Sequence, residues 1–325
     1  MVLQSFIPLL PPEGLVVITG STGWVGRTAV HELQRLLPLT TFASRVRLFA
    51  SRAGFLTVNG IEHRIYPLKA LPQLARAEPL AAVLHSAFLT RDRLQDVGFE
   101  AYVFTNRWIT QQLVDALTLA PAARMVLISS GAAATVPSCD PSQLERDPYG
   151  VLKLEEEQRL AAMVPTLVMR LYALSGRFIR DPNRFALGDF LQTALRGDPI
   201  CIHATMPVFR SYGFCEDITA LAWHWLLTNS PGDEGSFSVN PSEPLAAVSC
   251  TLDLLRLAQR ITELYELPPV QASINPDAVP DTYVADPAPF LDALQSMGLK
   301  PTNVDQQLRD TAAGLMKQLD GSLVR

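Results

Sequence analysis

Three glycines between an apolar run and an amphipathic run constrain the fold of this chain more than any other feature. The run LVVIT (15–19) is typical of a buried strand, and RTAVHELQRLL (27–37) carries apolar residues at helical spacing. Between them stand Gly20, Gly23 and Gly26. Glycines at such a turn allow the backbone to approach a pyrophosphate, and the start of the helix attracts negative charge. The segment predicts a dinucleotide-binding loop, with a tight turn that binds no ligand as the alternative.

The glycine-bearing segment is the first of several strand-and-helix patterns in the first half of the sequence. Further strand candidates are VRLFA (46–50), AVLHS (82–86), MVLISS (125–130) and TLVMRLY (166–172), and a second long helical pattern covers 102–119. Strands that alternate with helices form parallel sheets covered by helices. The order predicts an α/β fold with a Rossmann-like, doubly wound parallel sheet.

The second half of the sequence is less regular. After Tyr172 many turn residues interrupt the pattern, which becomes regular again at DITALAWHWLL (217–227) and FSVN (237–240). We therefore predict a dinucleotide-binding domain at 1–172, with its sheet completed by segments within 213–240, and mainly a smaller C-terminal substrate lobe at 173–325. The apolar start of the chain lacks the features of a signal peptide, so we expect an arm that packs on the fold.

Composition and charge argue against several classes of function. The net charge is −5 and no block of Lys and Arg occurs, so neither nucleic acid nor an anionic membrane is an expected partner. No uncharged apolar run reaches about 18 residues, the length that crosses a bilayer. The four scattered cysteines fit a reducing cytoplasm. The five histidines form no ligand-spaced pair, so we expect no metal site.

The residues after the second strand candidate indicate which dinucleotide the loop binds. An NAD site offers an acidic residue there to the ribose hydroxyls, whereas the extra phosphate of NADP calls for a cation. VRLFA is followed by Ser51 and Arg52, with no carboxylate. Arg52 can pair with the phosphate. The sequence therefore favours NADP(H), with NAD(H) as the alternative if Arg52 is only a solvated loop residue.

Tyr149 and Lys153 lie four residues apart in YGVLKLEEEQRL, so in a helix both side chains project from one face. A phenol has an ordinary pKa of about 10, and a neighbouring ammonium favours its ionised form. We therefore predict that Tyr149 transfers a proton, with the serine pair Ser129 and Ser130 preceding it in the chain. The alternative is a helix-face lysine that pairs with the glutamates at 155–157.

Taken in chain order, these motifs resemble the extended short-chain dehydrogenase/reductases, the family of NAD(P)-dependent nucleotide-sugar epimerases, dehydratases and reductases. The likeness covers nearly all of residues 14–320, and Asn106 matches the family's mid-helix asparagine. Further matching segments are LHSAF (84–88), VMRLYALSG (168–176), FRSYGFCEDITALAWHWLL (209–227), FSVNPSEP (237–244) and YVADPAPFLDALQSMGLKPT (283–302).

The resemblance implies roles in catalysis and cofactor binding. Tyr149 would be the acid/base, and Lys153 would bind the nicotinamide ribose and lower the pKa of Tyr149. Ser130, or else Ser129, would hydrogen-bond the reacting oxygen. The implied cofactor contacts are Gly20, Thr22, Gly23, Trp24, Val25, Gly26, Ser51, Arg52, Ser86, Ala87, Asn106, Ser129, Lys153 and Tyr172.

The resemblance also implies substrate contacts. Ser130, Arg210 and Tyr212 would bind the substrate, with the Arg210 guanidinium on its diphosphate. The alternative for Arg210 is a structural pair with a nearby carboxylate such as Asp217 or Glu216. Further arginines at 170, 177, 180 and 184 suit an anionic substrate or solvated loops equally.

Departures from the family pattern narrow the reaction. The adjacent Asp-Glu pair that nucleotide-sugar 4,6-dehydratases carry after the serine is absent, because Gly131, Ala132 and Ala133 stand there. Dehydration is therefore disfavoured. The sequence favours an NADP(H)-dependent oxidoreductase that reduces a keto group, or oxidises an alcohol, on a sugar nucleotide or related metabolite. A nucleotide-sugar epimerase and a non-catalytic NADP-binding sensor or scaffold are the alternatives.

Other expectations concern the bases, the adenine site and the oligomer. Epimerisation next to a ketone needs added bases, for which Cys139, Cys201 and His203 are candidates, although the cysteines are more often small buried residues. No acidic residue of RIYPLKAL (64–71) matches the family's adenine contact. By resemblance, the helices at 102–119 and 149–163 would form the contact of a cytoplasmic homodimer.

Overall fold

The computed structural model describes residues 13–227 and 243–319, so residues 1–12 of the predicted arm and the FSVN run lie outside the described residues. The strands are β1 (Leu15–Thr19), β2 (Val46–Ala50), β3 (Gly54–Val58), β4 (Ile61–Pro67), β5 (Leu80–His85), β6 (Arg124–Ser130), β7 (Thr166–Leu171), β8 (Ala173–Ser175), β9 (Cys201–Ile202), β10 (Val208–Phe214), β11 (Leu245–Ala246), β12 (Cys250–Asp253), β13 (Gln271–Ala272) and β14 (Asp281–Tyr283).

The helices are α1 (Trp24–Leu36), α2 (Leu39–Arg45), α3 (Leu71–Ala77), α4 (Leu94–Val97), α5 (Phe99–Leu119), α6 (Ala132–Thr135), α7 (Pro141–Arg146), α8 (Pro148–Ala161), α9 (Ala186–Arg196), α10 (Cys215–Leu227), α11 (Leu254–Tyr265), α12 (Ala288–Ser296) and α13 (Val304–Leu319). Short 3-10 turns cover Leu68–Ala70, Arg91–Arg93 and Pro182–Arg184. Within the described residues, no helix combines the length and the apolar character that a membrane span requires.

The largest sheet has the strand order β11-β7-β6-β5-β1-β2-β4-β3. The pairs β7–β6, β6–β5, β5–β1, β1–β2 and β2–β4 are parallel, whereas β3 runs antiparallel to β4. Every residue of β1 and of β5 is buried, as expected for strands with helices on both faces. The predicted Rossmann-like, doubly wound parallel sheet is confirmed.

Both faces of β1 are covered by helices. Leu15 and Val17 pack in a core cluster with residues of α5, which itself contacts α3 and α8. Val16 and Ile18 are equally buried and point to the opposite face, because side chains alternate along a strand. Elsewhere in the same unit, the indole of Trp223 on α10 donates a hydrogen bond to the Ala29 carbonyl oxygen of α1 at 3.0 Å.

The hairpin of β3 and β4 was not predicted from the sequence. Asn59 and Gly60 form its turn, with φ angles of 50° and 76°, and Val58 pairs with Ile61. A two-residue turn of this kind requires left-handed backbone at both positions, which Asn-Gly adopts readily. The Asn-Gly dipeptide between two short runs was the signal that could have shown it.

The described chain divides into two compact units. The first contains the described residues of Met1–Leu171 and Thr219–Leu245, and the second those of Tyr172–Ile218 and Ala246–Arg325. The segment 217–227 forms most of α10. One edge strand of the large sheet is β11, which lies just beyond the range 213–240 where we expected segments that complete the sheet.

In the second unit β10 is the centre of a small sheet. It pairs antiparallel with β12 and parallel with β14 and β8, while β9 and β13 form a separate parallel pair. The helices α9, α11 and α13 pack against one another. Most strands of this unit have two to four residues, too few for a clear periodic pattern in the sequence.

Candidate active site

The glycine loop between β1 and α1 contains two glycines that the packing of the protein requires and one that it does not. Gly20 has a φ of +69°, and a Cβ at Gly26 would lie 2.1 Å from the Gly20 carbonyl oxygen. A Cβ at Gly23 would meet only that oxygen, at 3.2 Å. Gly23 is the N-cap of α1, whose first turn has no acidic residue. The loop therefore fits a pyrophosphate, which would lie in the space beside Gly23 at a positive helix end.

Parallel pairing brings further predicted residues to the same edge of the sheet as this loop. Arg52 follows β2 and is exposed, Ser86 follows β5, and Ser130 ends β6. The Ser86 hydroxyl donates to the Thr19 carbonyl oxygen at 2.8 Å, which ties the end of β5 to β1. Ligands of open α/β sheets bind outside this carboxyl edge.

Two residues predicted to contact the cofactor make other contacts in the structure. Asn106 of α5 is buried, accepts the Leu89 N–H at 2.8 Å and donates to the Leu89 carbonyl oxygen at 3.3 Å. Tyr102 donates to the same oxygen at 2.8 Å, so both side chains hold the segment that follows β5. Tyr172 belongs to the second unit, where its ring lies 4.6 Å from the ring of Tyr283.

The ends of β6 and α8 bring Ser130 and Tyr149 together. Asp147 caps α8 and accepts the Gly150 N–H at 3.1 Å, and Pro148 occupies the first helical position. Tyr149 therefore lies in the first turn, where the Ser130 hydroxyl hydrogen-bonds its phenol. This is the serine that the sequence placed first for the reacting oxygen.

Ser129 has a different partner from Ser130. Its hydroxyl donates to Glu157 Oε1 at 2.5 Å, and Arg170 donates to both oxygens of the same carboxylate, at 2.9 and 2.6 Å. Adjacent strand residues point to opposite sides of a sheet. The Ser129 hydroxyl is thus used in a buried ion-pair cluster.

The pKa of Tyr149 is raised above its ordinary value. Burial is the main cause, the Glu156 and Asp147 charges add to it, and the Ser130 hydrogen bond and the Arg91 guanidinium offset it in part. The expected lowering of this pKa by Lys153 stays a prediction, since burial sets the net direction of the shift. The phenol is therefore protonated at neutral pH and carries a proton that it could donate.

Lys153 is buried one helical turn after Tyr149. Its Nζ donates to the Ile128 carbonyl oxygen and to Glu156 Oε2, both at 2.9 Å, and lies 3.8 Å from the centre of the Phe88 ring. The lysine does pair with a glutamate of the 155–157 run, but inside the protein and not on a solvated helix face.

Each glutamate of that run has its own cationic partner. Glu155 pairs with Arg107 at 2.6 Å, Glu156 with Lys153, and Glu157 with Arg170. The triplet was noted in the sequence only as a group that could neutralise Lys153. Its division among three partners depends on Arg107 of α5 and Arg170 of β7, which are distant from the run in the sequence, as well as on Lys153 of the same helix.

Residues that sequence reasoning missed surround Tyr149 and Lys153. The Phe88 ring packs edge-on against the Tyr149 ring at 5.8 Å, and the Arg91 guanidinium lies 5.3 Å from that ring and pairs with Asp147 at 3.0 Å. His85 Nε2 lies 3.0 Å from Glu156 Oε1. A histidine in the otherwise apolar strand LAAVLH was the one available signal.

The second unit contains the predicted substrate residues Arg210 and Tyr212. Arg210 Nη2 donates to Asp281 Oδ2 at 2.6 Å and its Nη1 donates to the Asp281 carbonyl oxygen at 3.1 Å. Arg210 therefore has a structural carboxylate partner, as the alternative expected, but that partner is Asp281, whereas Glu216 and Asp217 were the examples named. Tyr212 is 5% exposed, and burial raises its pKa.

Glu216 and Asp217 both accept hydrogen bonds from residues of the second unit. Glu216 Oε1 accepts from Arg177 Nε at 3.0 Å, and burial raises the Glu216 pKa to about 7. Asp217 accepts from the backbone N–H of Thr302 at 2.9 Å and from its hydroxyl at 2.7 Å, and burial raises its pKa to about 6. Both carboxyl groups titrate above their ordinary range because each lies in the protein interior.

The candidate added bases are divided between the two units. Cys139 precedes α7 in the first unit, where burial raises its pKa, whereas Cys201 and His203 belong to the second unit. Within residues 13–227 and 243–319, no group of three or more His, Cys, Asp or Glu side chains could hold a metal ion.

The parallel sheet and the glycine loop at its carboxyl edge define a Rossmann-like α/β protein of the dinucleotide-binding class. The model of the NAD dependent epimerase/dehydratase family matches residues 16–239. The chain therefore belongs to that family, within the extended short-chain dehydrogenase/reductases, as the motifs indicated. No curated protein matches the chain.

Solved structures share the fold at low sequence identity. MoeE5 in complex with UDP-glucose and NAD is 20% identical, with a TM-score of 0.65 over 94% of this chain and 100% of that one. UDP-N-acetylglucosamine 4-epimerase from Methanobrevibacter ruminantium M1 is 16% identical, with a TM-score of 0.67 over 94% and 99%. UDP-glucuronic acid 4-epimerase from Bacillus cereus, in complex with UDP-glucuronic acid and NAD, is 17% identical, with a TM-score of 0.66 over 94% and 99%.

Proposed function

We propose that the chain is a dinucleotide-dependent oxidoreductase that reduces a keto group to a secondary alcohol, or catalyses the reverse oxidation, on a sugar nucleotide or a related anionic metabolite. The observation that carries the proposal is the hydrogen bond between Ser130 and a Tyr149 phenol of raised pKa. Such a phenol holds its proton at neutral pH, and a carbonyl oxygen requires a proton during reduction. Oxidation of an alcohol would instead begin with a phenolate.

The protein's own groups complete the reduction. The dinucleotide, when bound in reduced form, supplies the hydride that the carbonyl carbon accepts. Tyr149 donates its proton to the carbonyl oxygen while Ser130 hydrogen-bonds that oxygen, and the phenolate then regains a proton from water. One hydride and one proton thus convert the ketone to an alcohol.

Lys153 and the glycine loop are the proposed holders of the dinucleotide. An ammonium has three N–H groups, and Lys153 uses two of them on Ile128 and Glu156. The third is available to a hydroxyl of the nicotinamide ribose. The space beside Gly23 and the start of α1 suit the pyrophosphate.

NADP(H) is the proposed cofactor, and Arg52 supports it. This arginine is exposed directly after β2, at the edge of the sheet that carries the glycine loop, and no carboxylate lies at 51–54 to repel a phosphate. NAD(H) is the alternative, since MoeE5 and the Bacillus cereus epimerase have NAD in their complexes.

The proposed substrate is a sugar nucleotide. The Methanobrevibacter, Bacillus cereus and MoeE5 structures contain UDP-linked sugars, and this chain covers nearly their whole length. Arg210 is the proposed contact for the diphosphate, because its present partner Asp281 is 56% exposed and a bidentate phosphate can replace it. Tyr212 is proposed to contribute beside it.

Epimerisation is a second candidate, favoured by the activity named for two of the structural relatives. An epimerase oxidises and reduces one carbon with a retained cofactor, so no dinucleotide is consumed overall. It uses the same Tyr149 in both directions, first as base and then as acid.

One assay distinguishes these functions. The protein is incubated with NADPH and a UDP-linked 4-keto sugar, and separately with NAD and UDP-glucose or UDP-glucuronic acid, while absorbance and products are followed. Consumption of one NADPH per alcohol formed supports the reductase. A new epimer without net cofactor consumption supports the epimerase, and tight NADPH binding with no turnover supports the non-catalytic sensor.

We further propose a cytoplasmic homodimer that forms through α5 and α8. These helices pack against each other within one chain, and Phe104 of α5 is 71% exposed. An exposed aromatic side chain of this size favours a helix contact with a second copy. A monomeric mass by light scattering, at micromolar concentration, would contradict this arrangement.

A further inference from the structure

A chain of four buried side chains leads from β1 to the lysine of the site. Thr19, His85 and Glu156 are at most 1% exposed, and Lys153 is 4% exposed. Thr19 Oγ1 lies 2.5 Å from His85 Nδ1, His85 Nε2 lies 3.0 Å from Glu156 Oε1, and Lys153 donates to Glu156 Oε2 at 2.9 Å. Both oxygens of Glu156 are therefore used, one on each side.

Hydrogen bonding assigns the charges along this chain. Burial acts to raise the Glu156 pKa, but the Lys153 charge and the His85 hydrogen bond together hold it below its ordinary range, so Glu156 is a carboxylate. A carboxylate only accepts, so His85 presents its N–H at Nε2. His85 Nδ1 faces the Thr19 hydroxyl on the other side of the ring.

We propose that Glu156, held by His85 and Thr19, is a positioning residue for the reaction, which fixes the Lys153 ammonium for the dinucleotide and keeps Tyr149 the proton donor. The proposal rests on the proposed function of this site. Glu156 acts through Lys153 and through its charge, and His85 and Thr19 fix the orientation of the carboxylate.

If the Glu156–Lys153 ion pair were purely structural, its loss would change the free energy of unfolding but not the pKa of Tyr149. Several groups act on the phenol, one or more from each neighbouring element: Ser130 from β6, Arg91 from the segment after β5, Asp147 and Glu156 from α8 and its cap, and Tyr102 from α5. Asp147 is paired with Arg91, and both are partly exposed, so water screens their charges. Glu156 is fully buried, so its charge is screened least.

The matched comparison is between two neighbouring glutamates of α8. Glu156→Gln removes the carboxylate charge from Lys153, whereas Glu157→Gln removes an equally buried charge whose partners are Ser129 and Arg170. Glu156→Asp keeps the charge. Thr19→Val removes only the hydroxyl at the far end of the chain and serves if Glu156→Gln fails to fold.

The first readout is NMR of tyrosine labelled at Cζ, with the Tyr149 resonance assigned from a Tyr149→Phe variant. We expect the ionisation of Tyr149 to begin at lower pH in Glu156→Gln than in the parent protein. In Glu157→Gln, Tyr149 should ionise at the same pH as in the parent protein. In Glu156→Asp the ionisation should return most of the way to the parent pH, and in Thr19→Val it should shift to lower pH by less than in Glu156→Gln. A Glu156→Gln protein whose Tyr149 follows the parent at every pH overturns the proposal, as does an equal shift in Glu157→Gln.

The second readout is the affinity for NADPH, measured by fluorescence with no substrate present. We expect Glu156→Gln to weaken binding about tenfold, the contribution of one charge-assisted hydrogen bond, and Glu157→Gln to leave it near the parent value. Unchanged affinity in Glu156→Gln would contradict the role in placing Lys153. Neither readout needs turnover, so they test this proposal separately from the enzymatic activity, whose own failure would appear as an absence of product in the assay.

Discussion

Glu156 and Glu216 are both largely buried glutamates, yet their pKa values move in opposite directions. Their side chains are 0% and 11% exposed, and burial is the largest effect on each. Glu156 has a lowered pKa because the Lys153 ammonium is itself buried and His85 adds a hydrogen bond. Glu216 has a pKa of about 7 because its burial outweighs the charge of Arg177, a partner that is 31% exposed. A buried partner charge, which water screens little, is expected to hold an interior carboxylate ionised more effectively than a partly exposed one.

The difference separates two kinds of site. In the first unit Glu156 pairs with Lys153 and its charge acts on Tyr149, so changing Glu156 should alter chemistry as well as stability. In the second unit burial outweighs the Arg177 charge on Glu216, which is not among the residues proposed for catalysis, so changing Glu216 should alter stability. The predictions that follow test this contrast, beginning with the group on which Glu156 acts.

Replacement of Tyr149 by Phe should reduce kcat by about 10²- to 10⁴-fold, the usual loss when a positioned acid is removed. Affinity for NADPH should change little, because the phenol is not among the proposed cofactor contacts. Turnover and NADPH binding are measured side by side, with Tyr265→Phe in the second unit as the control. Activity within a factor of a few of the parent protein would remove Tyr149 from the mechanism.

Glu156→Gln should lower the free energy of unfolding by about 3–5 kcal/mol at neutral pH, because it leaves the buried Lys153 ammonium without a counter-charge. The folded-state pKa of Glu156 is below its unfolded value, so this stabilisation is present at neutral pH and is lost as the pH falls through the carboxyl range. Denaturant titrations of parent and variant should therefore converge in acid. Equal free energies of unfolding for the two proteins at neutral pH would contradict the claim that the ionised Glu156, unlike Glu216, stabilises the fold.

The stability difference between the parent protein and Glu216→Gln should depend on pH in the opposite direction to the difference for Glu156→Gln. The folded-state pKa of Glu216, about 7, exceeds its unfolded value of about 4.5, so the parent protein loses stability as the pH rises between these values. The loss is on the order of 3 kcal/mol. The variant should lack it, and kcat should stay near the parent value. Denaturation midpoints across this pH window test the sign, and a parent protein that gains stability there would contradict it.

Local sequence patterns predicted the first unit well. The glycine loop, the parallel strands and the one-turn spacing of Tyr149 and Lys153 each depend on residues close together in the chain, where periodicity and turn chemistry apply. The second unit was predicted only as a lobe, because its strands are short and its helices connect irregular segments.

The contacts that define the site were less accessible from the sequence. His85 meets Thr19 across 66 positions and Glu156 across 71, and Arg210 meets Asp281 across 71. No local pattern encodes such pairs. The raised pKa of Tyr149 was not predicted, because the spacing shows that an ammonium is near but not that burial acts on the phenol.

Replacement of Arg52 should have the smallest effect on the free energy of unfolding. It extends the comparison of the buried Glu156 and Glu216 charges to a solvent-exposed charge. It is exposed, so Arg52→Gln should leave the free energy of unfolding within about 0.5 kcal/mol of the parent value. If Arg52 pairs with the extra phosphate, the KM for NADPH should rise about tenfold and that for NADH should stay constant. Arg76→Gln is the matched control, since this exposed arginine lies just before the start of β5, at the opposite edge of the sheet. A parent protein that prefers NADH, or an Arg52→Gln variant with an unchanged KM for NADPH, would assign Arg52 to the solvated loop and leave NAD(H) as the cofactor.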